Sequence, residues 1–503
     1  MIFGLSVSIV YLDVTNRIPS QFAAIVMSMQ IIPSLLSIVS GAGIVAVGAL
    51  IVLVSTVLFG RMYCSTVCPL GTYQDLILRL SEKYRHRRLL RYSKRLYGIH
   101  YGLFAVMLVG FLFGSVSLLN LFEPFSNYGR MLNTLIAPIL VSVNNVAASL
   151  LIESNIFLLY DIPHAPVSIA VILVVLSFFG LVTYLSYYHG RLFCNALCPA
   201  GALLGLLSRI SLFKLVLNES SCTHCKLCEK VCKAQCIDST EMKLDFSACV
   251  GCFNCVDVCH TEGVTFEYRY RSAPGIKPVP VVDSRRIFLR STALPAMAAF
   301  VPFSDSLSAP ASEYSEAKTH PVSPPGSVTI HHFSSACTAC QLCVSFCPTH
   351  VLQPALLGYG LSGILQPRMD FTHSFCNYDC TVCGAVCPTG AILPLAPEDK
   401  KRTQIGKAKF IKDDCIVITK KKDCGACSEH CPTKAVKMVP HEGVFLPEVN
   451  DEICIGCGAC EHACPTVPRK AIFVESNAVH ARAKEPEKNR QTARQEVLEE
   501  FPF

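Results

Sequence analysis

The 503-residue chain is long enough for several domains, carries a formal charge of only +7, and averages an apolar first half with a polar second half to a mean hydropathy of +0.43. Its Lys and Arg gather at the ends of apolar stretches, which points to membrane orientation and excludes nucleic acid as the expected partner. Of the 29 Cys, 4 lie in two motifs at the edges of apolar segments, 8 in one central stretch and 16 in the C-terminal part, leaving Cys236 over.

Residues 1–12 are apolar but shorter than the roughly 20 residues a spanning helix needs. No basic segment precedes them as in a signal peptide, so they read as the end of a span that begins upstream. Residues 21–40 are uncharged and broken by Pro33, the pattern of a re-entrant or interfacial segment, and residues 43–59 read as a span. The next loop carries Arg79, Lys83, Arg85, Arg87, Arg88, Arg91, Lys94 and Arg95, a density that the positive-inside rule assigns to the cytoplasm. Residues 97–119 then lead out, and residues 167–187 lead back to Arg191. Residues 131–152 are apolar enough for another span, but that would put Arg191, Arg209 and Lys214 outside. They are expected to form a helix lying at the outer surface.

At the two inner edges the chain repeats itself at an offset of 130 positions: GRMYCSTVCPLG from Gly60 and GRLFCNALCPAG from Gly190. Cys64 and Cys68 in one copy, and Cys194 and Cys198 in the other, are spaced i, i+4, so on a helix each pair faces one side. Four converging thiolates would hold one further cluster, a relay between bilayer and soluble domain; the plainer reading is packing or redox thiols at a helix end. His100, Glu123 and His189 lie near predicted helix ends, either as handlers of quinol protons or as ordinary interfacial residues.

The stretch 221–268 sets Cys222, Cys225, Cys228 and Cys232 against Cys249, Cys252, Cys255 and Cys259, two copies of Cys-x2-Cys-x2-Cys-x3-Cys. This is the ligand spacing of a two-cluster bacterial ferredoxin, in which the fourth Cys of each run serves the other cluster. By that rule Cys259 joins the first three and Cys232 joins Cys249, Cys252 and Cys255. Zinc needs only four ligands, usually as two Cys-x2-Cys units, and a disulfide framework suits small secreted chains, so 4Fe-4S clusters are the better reading. The usual proline after the fourth Cys is replaced by Lys233 and His260. Cys236 is expected to be a small structural residue.

Beyond a Pro-rich linker, the run Ser284-Arg285-Arg286-Ile287-Phe288-Leu289-Arg290 looks like a twin-arginine export signal. It is succeeded by an apolar segment, 291–303, and by Ala309-Pro310-Ala311 as an A-x-A-like cleavage site. A cluster protein bound for the outside must cross already folded, because metal binding is coupled to folding. Residues 304–335 read as a flexible tether.

Four more cysteine runs complete the set. They are Cys337, Cys340, Cys343, Cys347; Cys376, Cys380, Cys383, Cys387; Cys415, Cys424, Cys427, Cys431; and Cys454, Cys457, Cys460, Cys464. The first and last are regular, whereas the second and third stretch their first gap. Sixteen thiolates make four clusters, six with the central stretch and seven with the membrane-edge cysteines. Exchange of fourth ligands joins either one with two and three with four, or one with four and two with three. Short apolar runs supply small strands, and 477–503 reads as a charged tail. No Cys-x2-Cys-His occurs, so covalent haem is not expected, and there is no nucleophile motif or nucleotide-binding glycine loop.

With these motifs in place, the first 268 residues resemble the NapH-type membrane polyferredoxins, and 284–476 resemble the NapG and MauM type of exported four-cluster ferredoxin. The resemblance implies an α-helical integral membrane domain (1–220), α+β bacterial-ferredoxin-type domains at 221–268 and 336–476, and a linker with an export signal or anchor at 269–335. It further implies a multi-pass protein of the inner membrane, with the first ferredoxin cytoplasmic and the second periplasmic. Electrons would pass from the quinol pool to an unidentified redox partner protein. A second reading is a factor that supplies reducing power during maturation of a cofactor-bearing enzyme.

Overall fold

A computed structural model of the protein describes residues 2–13, 15, 17–40, 46–84, 92, 97–164, 167–268 and 320–485. The basic residues Arg85, Arg87, Arg88, Arg91, Lys94 and Arg95, the twin-arginine segment and the charged residues beyond 485 lie outside this description.

The first 210 residues form a helical bundle. Pro33 sits within the second of two short helices, Ser20–Ser28 and Ile31–Val39, which meet at 99°, the bend expected of a re-entrant segment. Among the described residues only Pro124–Glu153 and Ile169–His189 are individually long and apolar enough to cross a membrane. The helices inside the expected spans 43–59 and 97–119 are Ala46–Phe59 and Tyr97–Leu112, of 14 and 16 residues, short of the roughly 20 that span unaided. Residues 131–152, expected as a separate surface helix, instead continue a 30-residue helix that starts at Pro124 and carries a π-turn at Leu132–Ile136.

The two ferredoxin units sit at opposite ends of this bundle. Val171 and Val175, at the start of Ile169–His189, pack on Ala339 and Leu365 of the second unit. Just past the other end of that helix, the Arg191 amide donates to the Lys233 carbonyl of the first unit (3.0 Å). A 21-residue helix separates these contacts by about 30 Å. The helix Tyr97–Leu112 repeats the arrangement: the Tyr97 hydroxyl donates to Asp245, while Gly114 lies beside His331.

Each ferredoxin unit is built from two-stranded antiparallel ribbons. In the first, Phe213–Leu217 pairs with Val264–Tyr268. In the second, Thr403–Phe410 pairs with Ile472–Arg482, so this last strand runs past the expected boundary at 476 and the tail begins later than its composition implies. The expected tether also shortens. Residues 320–336 fold onto the second unit, because Val322 and Phe333 are buried in its core. Replacing Phe333 with Ala should therefore destabilise the second unit by about 3–5 kcal/mol, read as a shift in its denaturant midpoint. A wild-type midpoint would return 320–336 to the tether.

Candidate metal centres

In the four regularly spaced runs, the residue before the second Cys and the one after it are both left-handed: His224 and Lys226, Gly251 and Phe253, Ala339 and Gln341, Gly456 and Gly458. For the five that are not glycine this costs about 1–3 kcal/mol each, strain of the kind kept at functional sites. The conformation turns backbone N–H groups inward as an anion-binding nest. His224, Gly251 and Ala339 donate to the sulfurs of Cys222, Cys249 and Cys337 at 3.4, 3.5 and 3.4 Å. In the two stretched runs, Thr381 and Gly425 occupy the corresponding place with φ of −122° and −131°; the longer first gap relieves the strain.

The thiols of the second unit fall into four groups. Burial and the neighbouring Cys340, Cys337 and Cys387 push the Cys343 thiol far up. Burial, with Cys347 and Cys380 nearby, takes Cys376 up to about 11, and Cys347, Cys376, Cys380 and Cys383 line one apolar cavity. Cys415, Cys424, Cys427 and Cys464 line another. Burial, with Cys376, Cys431 and Cys454 nearby, lifts Cys457 to about 12, and Cys460 lies in range of Cys457, Cys454 and Cys431. In each of the first two runs the fourth cysteine thus lies with the other run's first three, and the same holds for the last two runs. Among the described residues no three such side chains close tightly enough to hold a single ion; a four-iron cluster gives each thiolate its own iron. An apolar cavity walled by four thiols, one for each iron, fits such a group. The Cys376 amide donates to the Cys457 carbonyl (2.9 Å), so the groups succeed one another from the bundle outward.

In the first unit, burial holds Cys255 up beside Cys249, Cys232 and Cys252, and burial likewise takes Cys228 to about 11 beside Cys222 and Cys225. Cys259 lies on the turn into Val264–Tyr268, and Gly263 on that turn packs against Cys222. Cys236, expected as a small structural residue, is buried in the core of the first unit. Its sulfur lies 3.6 Å from that of Cys232.

Cys64, Cys68, Cys194 and Cys198 do come together, buried at the first-unit end of the bundle. The Cys198 thiol lies within electrostatic range of the other three. Arg61 and Arg191, each 1% exposed, cross between the two repeat copies. Arg61 donates to the Cys64 sulfur (3.8 Å) and the Cys194 carbonyl (3.2 Å); Arg191 donates to the Cys194 sulfur (4.0 Å) and the Cys64 carbonyl (2.8 Å). Arg61 Nε and Gln74 Nε2 are buried here without a partner. Orphaned donors around four thiols fit a centre that carries negative charge.

The same motifs dock the first unit. Arg61 donates to the Ser247 carbonyl (2.9 Å), Asn195 to the Ala234 carbonyl (3.3 Å), and Ser65 to the Gly251 carbonyl (3.4 Å). His100 is buried with Nε2 3.0 Å from the Cys198 carbonyl. Glu123 caps the helix Pro124–Met131 by accepting from the Phe125 amide (3.0 Å) and the Ser126 amide. His189 is exposed and joins neither. Sequence reasoning missed Tyr11, whose hydroxyl donates to the Cys340 carbonyl (2.9 Å), and Gln341, held by Asn133 (3.1 Å) and Thr134 (3.3 Å). Only their place next to a cysteine run or in an apolar segment would have marked them.

The exchange of fourth cysteines has a direct check. C347S and C380S should each lose the same four-iron complement, about four iron per chain, and the double variant should lose no more. A doubled loss by iron analysis would mean that Cys347 serves a different group.

Residues 42–88 and 171–218 match a 4Fe-4S binding domain, and residues 420–467 match a 4Fe-4S dicluster domain. An uncharacterized protein of Methanocaldococcus jannaschii is 40% identical over 87 residues, 17% of this chain and 35% of that protein, so the similarity spans about a third of that relative. The ferredoxin-type protein NapH of Haemophilus influenzae is 27% identical over 231 residues, 44% of this chain and 67% of that protein. The methylamine utilization ferredoxin-type protein MauM of Methylobacillus flagellatus is 30% identical over 146 residues, 26% of this chain and 59% of that protein. No solved structure matches. The matches and the two apolar helices together identify an iron-sulfur protein of the electron-transport type, with 4Fe-4S ferredoxin domains and helices that fit a membrane.

Proposed function

We propose that the chain is a membrane-embedded electron conduit. In this reading six 4Fe-4S clusters occupy the two ferredoxin units and a seventh iron-sulfur centre, held by Cys64, Cys68, Cys194 and Cys198, joins them. The observation that carries the reading is one continuous apolar core. It runs from Val250 of the first unit, through those four cysteines and Tyr63, to Tyr11, Cys340 and Leu342 of the second. Charged centres buried among apolar side chains are kept from water, and a chain of them leads from one end of the bundle to the other. The first unit belongs on the cytoplasmic side, to which the basic run of residues 79–95 is assigned by the positive-inside rule. The second then belongs on the periplasmic side, and the segment 284–303 supplies its export signal or anchor.

Quinol is the donor in this account. A narrow slot lined by Leu70, Val174, Phe178 and Phe179, with Asn127 and Arg130 as its polar groups, also touches Leu365 of the second unit. Leu70 lies two positions after Cys68, and Leu365 packs with Ala339 beside Cys340, so the slot lies between the membrane centre and the nearest group of the second unit. Its walls are apolar with two polar groups, and its volume of about 20 Å³ is smaller than a quinol ring, so in this reading the helices that line it part to admit the ring. Oxidation of the ring would release two electrons, for which clusters held by these cysteines would be one-electron acceptors, and two protons, which would pass to water.

The C68S/C198S double variant should lose iron relative to the wild type and stop quinol-dependent reduction of the first unit in membranes; unchanged iron content would remove the seventh centre. Val174→Trp should narrow the slot and slow reduction by quinol at least tenfold while leaving the dithionite-reduced spectrum unchanged. Reduction by quinol at the wild-type rate would place the donor elsewhere.

A further inference from the structure

The two arginines of the repeat do more than hold its turns. Each guanidinium is fully buried and contacts a thiol of its own copy and the cysteine carbonyl of the other. The glycine shared by the copies makes room for this crossing. A methyl on Gly71 would lie 2.5 Å from Arg191 Nη1, and one on Gly201 would lie 2.9 Å from Arg61 Nη2. The surroundings of the two cations then differ. Arg191 is paired with Asp75 (2.9 Å), which also pairs with Lys233 (3.1 Å) directly after Cys232. Among the described residues Arg61 meets only neutral partners, Asn195 Oδ1 (2.9 Å) and the Ser247 carbonyl (2.9 Å), besides its cysteine contacts. The position that corresponds to Asp75 in the second copy is Gly205, which carries no charge.

Four thiolates on an iron-sulfide core leave a net charge of about −2 when oxidised and about −3 when reduced, and net charge is one of the main controls on the potential of such a centre. In an apolar surround that charge is costly without counter-ions. Two guanidinium groups bring the oxidised centre close to neutrality and favour the added electron, whereas Asp75 opposes it from behind Arg191. Resting on the reading of the four cysteines as a cluster site, we infer that Arg61 and Arg191 set the reduction potential of that centre and that Asp75 trims it. These are positioning and tuning residues, and their effects have opposite signs.

The test is a potentiometric titration, monitored by electron paramagnetic resonance, of the full chain in lipid nanodiscs, with iron counted in every variant. Arg61→Gln and Arg191→Gln should each lower the potential of one centre, changing its reduced-to-oxidised ratio at fixed potential at least tenfold, or about 59 mV for one electron. Asp75→Asn should raise it, and Arg191→Lys, which keeps the charge, should restore most of the shift. Potentials equal to wild type in all variants, or a shift of the same sign in Arg61→Gln and Asp75→Asn, would overturn the inference. If a glutamine variant fails to assemble, Asp75→Asn and Arg191→Lys still decide the sign. Full iron content in C68S/C198S would mark a failure of the cluster reading itself.

Discussion

In the proposed function the structure depends on one constraint: negatively charged sulfur has to be buried in an apolar bundle without being left unpaired. An isolated charge in such a place is costly, and the repeated Gly-Arg-x2-Cys-x3-Cys-Pro-x-Gly segment meets the cost locally. Its arginine supplies the counter-charge, its proline starts the next helix, and its second glycine lets the arginine of the other copy pass. The two copies therefore complete each other, and neither makes the site alone.

That crossing also fixes the first ferredoxin unit. The residues that serve the four thiols on one face hold Ser247, Ala234 and Lys233 on the other, so the soluble unit is seated by the same segments that wrap the buried centre. The replacement of the usual proline by Lys233 then has a cause. Its carbonyl accepts from the Arg191 amide and its ammonium pairs with Asp75. At the far end, Gly129 permits a similarly close approach: a methyl there would lie 2.6 Å from the Cys340 carbonyl.

Much of this was legible in the sequence, because thiolate spacing and turn geometry are local. The six cysteine runs and the repeat come from short-range pattern, as does the break before the helix that carries Pro33. The features that stayed hidden depend on contacts across the chain. Exchange of fourth cysteines between neighbouring runs needs the strand pairing of Thr403–Phe410 with Ile472–Arg482. Phe333 looked like part of a tether because composition does not show which apolar residue finds a core. The helix Tyr97–Leu112 was read as a longer span because hydropathy records apolar length and misses where a turn such as Gly114 ends the helix.

In the proposed function the chain is a single conductor, with solvent-facing centres at both ends and a protected one in the middle. The most direct test is electron passage across a sealed bilayer. Full-length protein would be reconstituted in vesicles with a membrane-impermeant reductant outside and an impermeant acceptor such as ferricyanide inside. The trapped acceptor is predicted to be reduced, and its reduction to stop when Cys68 and Cys198 are replaced. A trapped acceptor that stays oxidised, with every centre loaded and both ferredoxin units reducible from their own side, would contradict a continuous conductor.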